Sequence, residues 1–151
     1  SKEMLRGAPE IQGIGIDISP HSLQHAQSLV NAWGLSSRYE IRRQNVMEEP
    51  CTLKADALIN VEVLEHLEDP QSFLHSLYQS LRSGGLAFVT AAVNAPNFDH
   101  IYLYRSLNEV AEQIRQAGFT ILAANEFLAY DAIPDEIAPS SAVFVLRKLE
   151  V

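Results

Sequence analysis

Glu62, Glu65 and His66 stand at i, i+3 and i+4 near the middle of the chain. In one helical turn all three would share a face, and two carboxylates with an imidazole suit a hard or borderline divalent ion. His100 lies in a polar loop, NAPNFDHIYLYRS, directly after an apolar run. With His66 it is a candidate general base. Tyr102, Tyr104 and Arg105 are candidates for lining a pocket beside it, the two tyrosines being equally suited to packing. A second set of polar groups stands at strand ends. Asp17 closes IQGIGID, where a carboxylate can accept hydrogen bonds from the ribose hydroxyls of a nucleotide-like cofactor, and Ile18 and Ser19 follow. The competing role, capping the next helix, falls to Ser19. Gln44-Asn45-Val46 ends the following β-prone stretch, where the amide of Asn45 can address an adenine edge with Val46 flanking the ring.

The elements that must position these groups alternate in type. Residues 11–17 read as a buried strand. Ser19 and Pro20 then form a cap and first helical position, Leu23, Ala26, Leu29, Val30 and Trp33 make one helical face, and Gly34 stops the helix. His21 and His25 point away from that face. Residues 38–46 and 56–61 read as strands. Asp69-Pro70 starts a helix with Phe73, Leu74, Leu77 and Leu81 inward, ended by Ser83-Gly84-Gly85. Residues 86–93 are continuously apolar, as in a strand buried on both faces of a parallel sheet. Ser106 and Glu109 form a capping box for a helix with Leu107, Val110, Ala111 and Ile114 inward, closed by Gly118. Residues 119–127 and 141–148 are two final strands joined by a loop rich in Pro and Asp. This order predicts a three-layer α/β/α sheet, mostly parallel. The last strand follows too closely for a parallel crossover, so an antiparallel hairpin at a sheet edge is expected, with Val143 and Val145 on one face and Phe144 and Leu146 on the other. Gly13 and Gly15 do not make a dinucleotide fingerprint, because position 18 is Ile18 and both precede the acid. Close packing of strand against helix explains them better.

With 151 residues, 47% hydrophobic, the chain suffices for a single domain, 1–151. No apolar run approaches the ~20 residues of a membrane span, and the start shows no leader-like pattern. A net charge of −8 argues against nucleic acid as the main partner. Arg38, Arg42 and Arg43 are the one basic cluster and read as a solvated strand edge. The single cysteine, Cys51, excludes an internal disulfide and fits a reducing cytoplasmic setting. Glu48 and Glu49 nearby argue against a nucleophilic thiol there.

Asp56 followed by Glu62-Val-Leu-Glu-His-Leu67, then Asp69-Pro70, a helix, and Ser83-Gly84-Gly85 before an apolar strand, resembles the Rossmann-type S-adenosylmethionine-dependent methyltransferases. Gly15-Ile-Asp17-Ile-Ser19-Pro20 and Ala117-Gly118-Phe119 agree with it, and the resemblance covers roughly residues 11–149. It implies that Asp17 and Ile18 meet the cofactor's ribose, Asn45 and Val46 its adenine, and Asn60 and Val61 its methionine end. It also implies a small-molecule methyl acceptor, most simply a hydroxyl, with His66 and His100 as bases. Some methyltransferases with a similar E-x-x-E-H segment and a later histidine hold Mg²⁺ there, which would make Glu62, Glu65, His66 and His100 ligands. The family's first strand and glycine-rich loop normally precede the acid corresponding to Asp17. Here SKEMLRGAPE stands there and resembles the tail of the following helix, so a longer protein is expected. A non-catalytic methyltransferase-like assembly module is the rival reading. A nicotinamide dehydrogenase would share the ribose acid but leaves the Glu62–Leu67 segment unexplained.

Overall fold

The computed structural model describes residues 2–49, 52–129 and 138–149. Cys51 and most of the Pro- and Asp-rich loop lie outside the described residues. The chain divides into two compact units, Ser1–Glu49 and Pro50–Val151.

The first unit runs α1 (Lys2–Gly7), β1 (Gly13–Asp17), α2 (Pro20–Ala32) and β2 (Tyr39–Arg43). β1 and β2 pair in parallel, with Asp17 opposite Arg43. Ser19 caps α2 by accepting from the Ser22 N–H, with Pro20 at the first turn, and Gly34 takes the left-handed φ of 67° that ends it. Leu5, Val30 and Leu35 form the core, with Ile11, Trp33, Tyr39 and Ile41 against it. His21 and His25 are exposed, as their spacing implied. Two expectations change. Gly13 and Gly15 do allow a close approach, but to the neighbouring strand: a Cβ on Gly13 would come within 2.4 Å of the Tyr39 ring. Arg38 is not a solvated edge residue. Its guanidinium donates to the carbonyls of Leu5, Ala8, Pro9 and Ile11, at 2.7–3.3 Å; Leu5 is in the last turn of α1, where carbonyls lack intrahelical partners, and the other three lie in the loop after it.

The second unit runs β3 (Ala55–Asn60), a 3₁₀ turn (Leu64–His66), α3 (Pro70–Ser80), β4 (Leu81–Val93), α4 (Leu107–Gln116), β5 (Thr120–Leu128) and β6 (Ser140–Arg147). Its sheet has the order β3-β4-β6-β5, with β3 parallel to β4 and β6 antiparallel to both neighbours. The β5–β6 hairpin is antiparallel as expected, and Phe144 and Leu146 are buried on one face while Val143 and Val145 take the other. β5 rather than β6 forms the edge. The core gathers Leu74, Leu77, Val89, Ala91, Val93, Val110, Ile114, Phe144 and Leu146 between the sheet and helices α3 and α4. Asp69 caps α3 by accepting from the Ser72 N–H at 3.0 Å and its hydroxyl at 2.6 Å, which holds its carboxyl below the usual range. α3 stops at Ser80, earlier than the glycines suggested, because Leu81 already turns extended with ψ 145°. The glycine pair instead sits in an irregularity of β4: Ala55 faces Leu81 but Ala57 faces Leu86. Gly118 closes α4 at φ 103°.

Candidate active site

β3 and β4 are parallel neighbours, so the segments leaving their carboxyl ends, 61–69 and 94–105, emerge on one edge of the sheet. They hold each other in place. The Glu65 carbonyl accepts from both the Ile101 and Tyr102 N–H groups, at 2.8 and 2.9 Å. The neck of the later loop is closed by the Asn94 N–H donating to the Tyr104 carbonyl at 2.9 Å, with Asn94 in the left-handed region at φ 49°. Tyr104 is fully buried and donates to Gln113 Oε1, and Gln113 Nε2 donates to Tyr102 Oη, which donates to Glu109. Burial holds both tyrosine hydroxyls above their usual range. The tyrosines therefore tie the loop to α4 through their hydroxyls. Glu109 does not reach back to its cap residue but accepts from the Arg105 N–H at 2.8 Å, so only the Ser106 half of the expected capping box forms.

This frame brings Glu65, His66 and His100 together, with one ligand atom of each within 4.8 Å of the others. His66 Nδ1 lies 2.8 Å from the Asp99 carbonyl, and His100 Nδ1 2.6 Å from the Ala95 carbonyl. A carbonyl only accepts, so each Nδ1 is the donor, and in the neutral ring Nε2 is the nitrogen with the lone pair. Asp99 Oδ2 stands 3.8 Å from His66 Nδ1. Glu65 is 1% exposed. Its side chain faces the Ala92 N–H at 3.5 Å. Burial pushes its carboxyl above the usual range, helped by the charge of Glu62 and opposed by backbone N–H groups and His66.

Glu62 is not a member of this cluster. The spacing argument required one helical turn, but the turn spans only Leu64–His66 and Glu62 precedes it at φ 50°. Its Oε1 accepts from the hydroxyls of Thr90 at 2.7 Å and Ser141 at 2.8 Å, and its N–H donates to Thr90 Oγ1. Thr90 was the available signal, as the one polar residue in LAFVTAAV. Ser141 and the carbonyls of Ala95 and Asp99 gave none.

The residues proposed for a cofactor divide between the units. In the first, Ile18 and Asn45 line a groove of about 360 Å³ with Arg43, Gln44, Glu48 and Glu49. Val46 is half-buried beside Asn45. Asp17 uses Oδ1 to accept from the Ser19 N–H at 2.8 Å, so the capping role belongs to it in part, while Oδ2 has no hydrogen-bond partner among the described residues. Asn45 Oδ1 accepts from the Met47 N–H at 3.1 Å. In the second unit, Asn60 ends β3 at 7% exposure, and its Nδ2 is a buried donor with no partner among the described residues. Val61 is exposed.

A family model described as a methyltransferase domain matches residues 2–87. The chain belongs to this methyltransferase domain family. Ajmaline N-methyltransferase of Rauvolfia serpentina is 29% identical over 86 residues, covering 56% of this chain and 30% of that protein. Ubiquinone biosynthesis O-methyltransferase of Ruegeria sp. (strain TM1040) is 34% identical over 86 residues, covering 57% and 34%. The chain thus spans about a third of the length of these methyltransferases. Among solved structures, the [4+2]-cyclase SpnF superposes with a TM-score of 0.79 at 20% identity, covering 98% of this chain and 70% of that one. That likeness establishes the Rossmann-like methyltransferase fold, and a cyclase on the same fold shows that the fold leaves the chemistry to the site.

Proposed function

We propose that this domain takes part in transfer of a methyl group from S-adenosylmethionine to a hydroxyl of a small-molecule acceptor. The observation that carries the reading is the imidazole pair, both tautomers fixed by loop carbonyls and both Nε2 atoms left to receive a proton. Membership of the methyltransferase domain family supports the cofactor. The two named relatives support a small acceptor, one being an N- and one an O-methyltransferase.

Each unit carries groups whose chemistry suits one part of the cofactor. A buried amide donor without a partner costs about 1–3 kcal/mol unless something accepts from it. Asn60 Nδ2 is such a donor and suits the carboxylate of the methionine end, with Val61 beside it. Asp17 Oδ2 suits a ribose hydroxyl, with Ile18, Asn45 and Val46 for the base. The chemistry supplied by the bound cofactor is a methyl group activated on a sulfonium. The protein's own task is to align the acceptor and remove its proton. His66 Nε2 or His100 Nε2 takes that proton, and the Asp99 carboxylate stabilises the imidazolium formed at His66.

A second reading is favoured by the proximity of three donors. Glu65, His66 and His100 would hold a divalent cation, whose chemistry would be to acidify a bound hydroxyl. Nδ1–H bonds to carbonyls are the usual outer support of metal-bound histidine. Two imidazoles and one carboxylate suit a borderline ion better than Mg²⁺, which prefers oxygen ligands. Methyl transfer by the full-length protein, measured with and without EDTA, separates the two. Under the base reading EDTA does nothing and His100→Ala lowers the rate on the order of 10²–10⁴-fold. Intact turnover in His100→Ala would reject His100 under both.

A further inference from the structure

Two histidines outside the candidate active site share one turn of α2. His21 and His25 stand at i and i+4 in this helix, and both are exposed, whereas Leu23, Ala26 and Val30 turn inward. An α-helix advances about 100° per residue, so the two histidines lie within about 40° of each other, with Cβ atoms about 5–6 Å apart. Helical side chains lean toward the N-terminus, so His25 reaches over the turn that carries His21. Neither ring has a hydrogen bond or ion pair among the described residues, which leaves their nitrogens to an outside ligand. α2 carries no lysine or arginine to repel a cation. The arginines of β2, which packs on α2, are engaged elsewhere: Arg42 donates to Glu40 and Arg43 to the Ile18 carbonyl. The positive end of the helix opposes a cation at the first turn, but only by a weak, salt-screened effect at an exposed position.

We infer that His21 and His25 chelate one late transition-metal ion (Zn²⁺, Ni²⁺ or Cu²⁺) through one ring nitrogen each, with water completing the coordination. This is independent of the methyl-transfer reading, and the site lies in the first unit, whereas Glu65, His66 and His100 lie in the second. Metal–nitrogen bonds of about 2.0–2.1 Å let two rings from one helical turn meet at a single ion, and the same i, i+4 spacing supplies both histidines of helical H-E-x-x-H zinc sites. Imidazole suits these ions, whereas Mg²⁺ and Ca²⁺ prefer oxygen ligands. The ion would clamp the first turn of α2, directly after the Ser19 cap. The unit it clamps rests on a small core of Leu5, Val30 and Leu35. An ion held by the folded helix and not by the unfolded chain adds its binding free energy to that core.

The test is calorimetric titration of the full-length protein, free of any affinity tag, with NiCl₂ in excess MgCl₂. A background carrying His66→Gln and His100→Gln silences the other histidine pair. One saturable site is expected there. His21→Gln and His25→Gln should each weaken it by at least about tenfold, because the second imidazole of a chelate binds intramolecularly. Glutamine is a good helix former, so α2 persists in both. Combining His25→Gln with Gln27→His keeps the number of histidines but carries the second ring about 240° round the helix from His21, and should bind no better than the single variants. Trp33, the only tryptophan, packs against the core of the first unit, so its fluorescence follows unfolding there. Ni²⁺ should raise that midpoint in the background protein and leave it in place in His21→Gln and His25→Gln. Absence of saturable binding, background-level affinity in either single variant or in the displaced one, or a midpoint that Ni²⁺ raises equally in all of them, overturns the inference.

Discussion

His66 and His100 meet edge to face, with ring centroids 4.9 Å apart and planes at 80°. Each gives its Nδ1–H to a carbonyl of the same loop, at Asp99 and Ala95. One backbone segment thus sets the tautomer of both rings, and the loop's conformation is part of the acid–base apparatus. Asn94, at φ 49°, is where that conformation is strained. Asn94→Gly should preserve activity because glycine enters this region freely, whereas Asn94→Val should lower kcat by making it costly. Equal kcat in both variants would show that the neck does not matter.

The buried Glu65 predicts a pH-dependent stability with a definite sign. Burial raises its carboxyl above the ordinary value of 4.5, so the folded state holds a proton that the unfolded state releases. Its contribution is fully present below about pH 4.5 and is lost as pH rises through the folded value. Glu65→Gln mimics the protonated form. It should therefore unfold at higher denaturant than the parent near neutral pH, with the difference vanishing as the solution is acidified. Parallel curves for the two proteins from pH 4 to 8 would contradict the assignment.

Much of this was legible in local sequence, and the exceptions share a cause. Ser19-Pro20, Asp69-Pro70 and Ser106 start helices where expected because a cap acts on N–H groups within three residues. His66 and His100 were marked by type and by position after strands. Glu62 was misplaced because its N–H is held by Thr90 and its carboxylate by Thr90 and Ser141, 28 and 79 residues away. Arg38 was misread for the same reason, its acceptors lying 27–33 residues earlier. The insertion of β6 between β4 and β5 is likewise a pairing choice that hydrophobic alternation does not encode.

Asp17→Ala in the full-length protein should weaken S-adenosylhomocysteine binding by about 1–3 kcal/mol, the scale of a charge-assisted hydrogen bond. Calorimetry measures it directly. Because Asp17 Oδ1 also accepts from Ser19 N–H, the unfolding midpoint of the variant is needed beside the affinity. Unchanged affinity would remove Asp17 from the cofactor site.

Gly118 combines φ 103° with a Tyr78 ring 3.1 Å from where its Cβ would stand. That ring is itself fixed edge to face against Phe119, with Lys148 Nζ 4.4 Å above it. Gly118→Ala therefore meets backbone strain and a ring that cannot retreat, and should destabilise by more than about 1 kcal/mol. Chemical denaturation with an unchanged m-value would report this, and a neutral result would mean the turn relaxes.

The guanidinium of Arg38 has a consequence for how the first unit breathes. α1 is six residues long, too short to persist without tertiary support. Arg38 gathers the Leu5 carbonyl of α1 and those of Ala8, Pro9 and Ile11 in the loop after it, and the Arg38 carbonyl in turn accepts the Gly13 N–H at 2.8 Å. Helix end, loop and strand entry are thereby fastened through one side chain, and they should open as one cooperative event. In hydrogen exchange the amides of Ala8, Ile11 and Gly13 are expected to share a single opening free energy in the parent, and to scatter toward solvent rates in Arg38→Lys, whose ammonium cannot span so many acceptors.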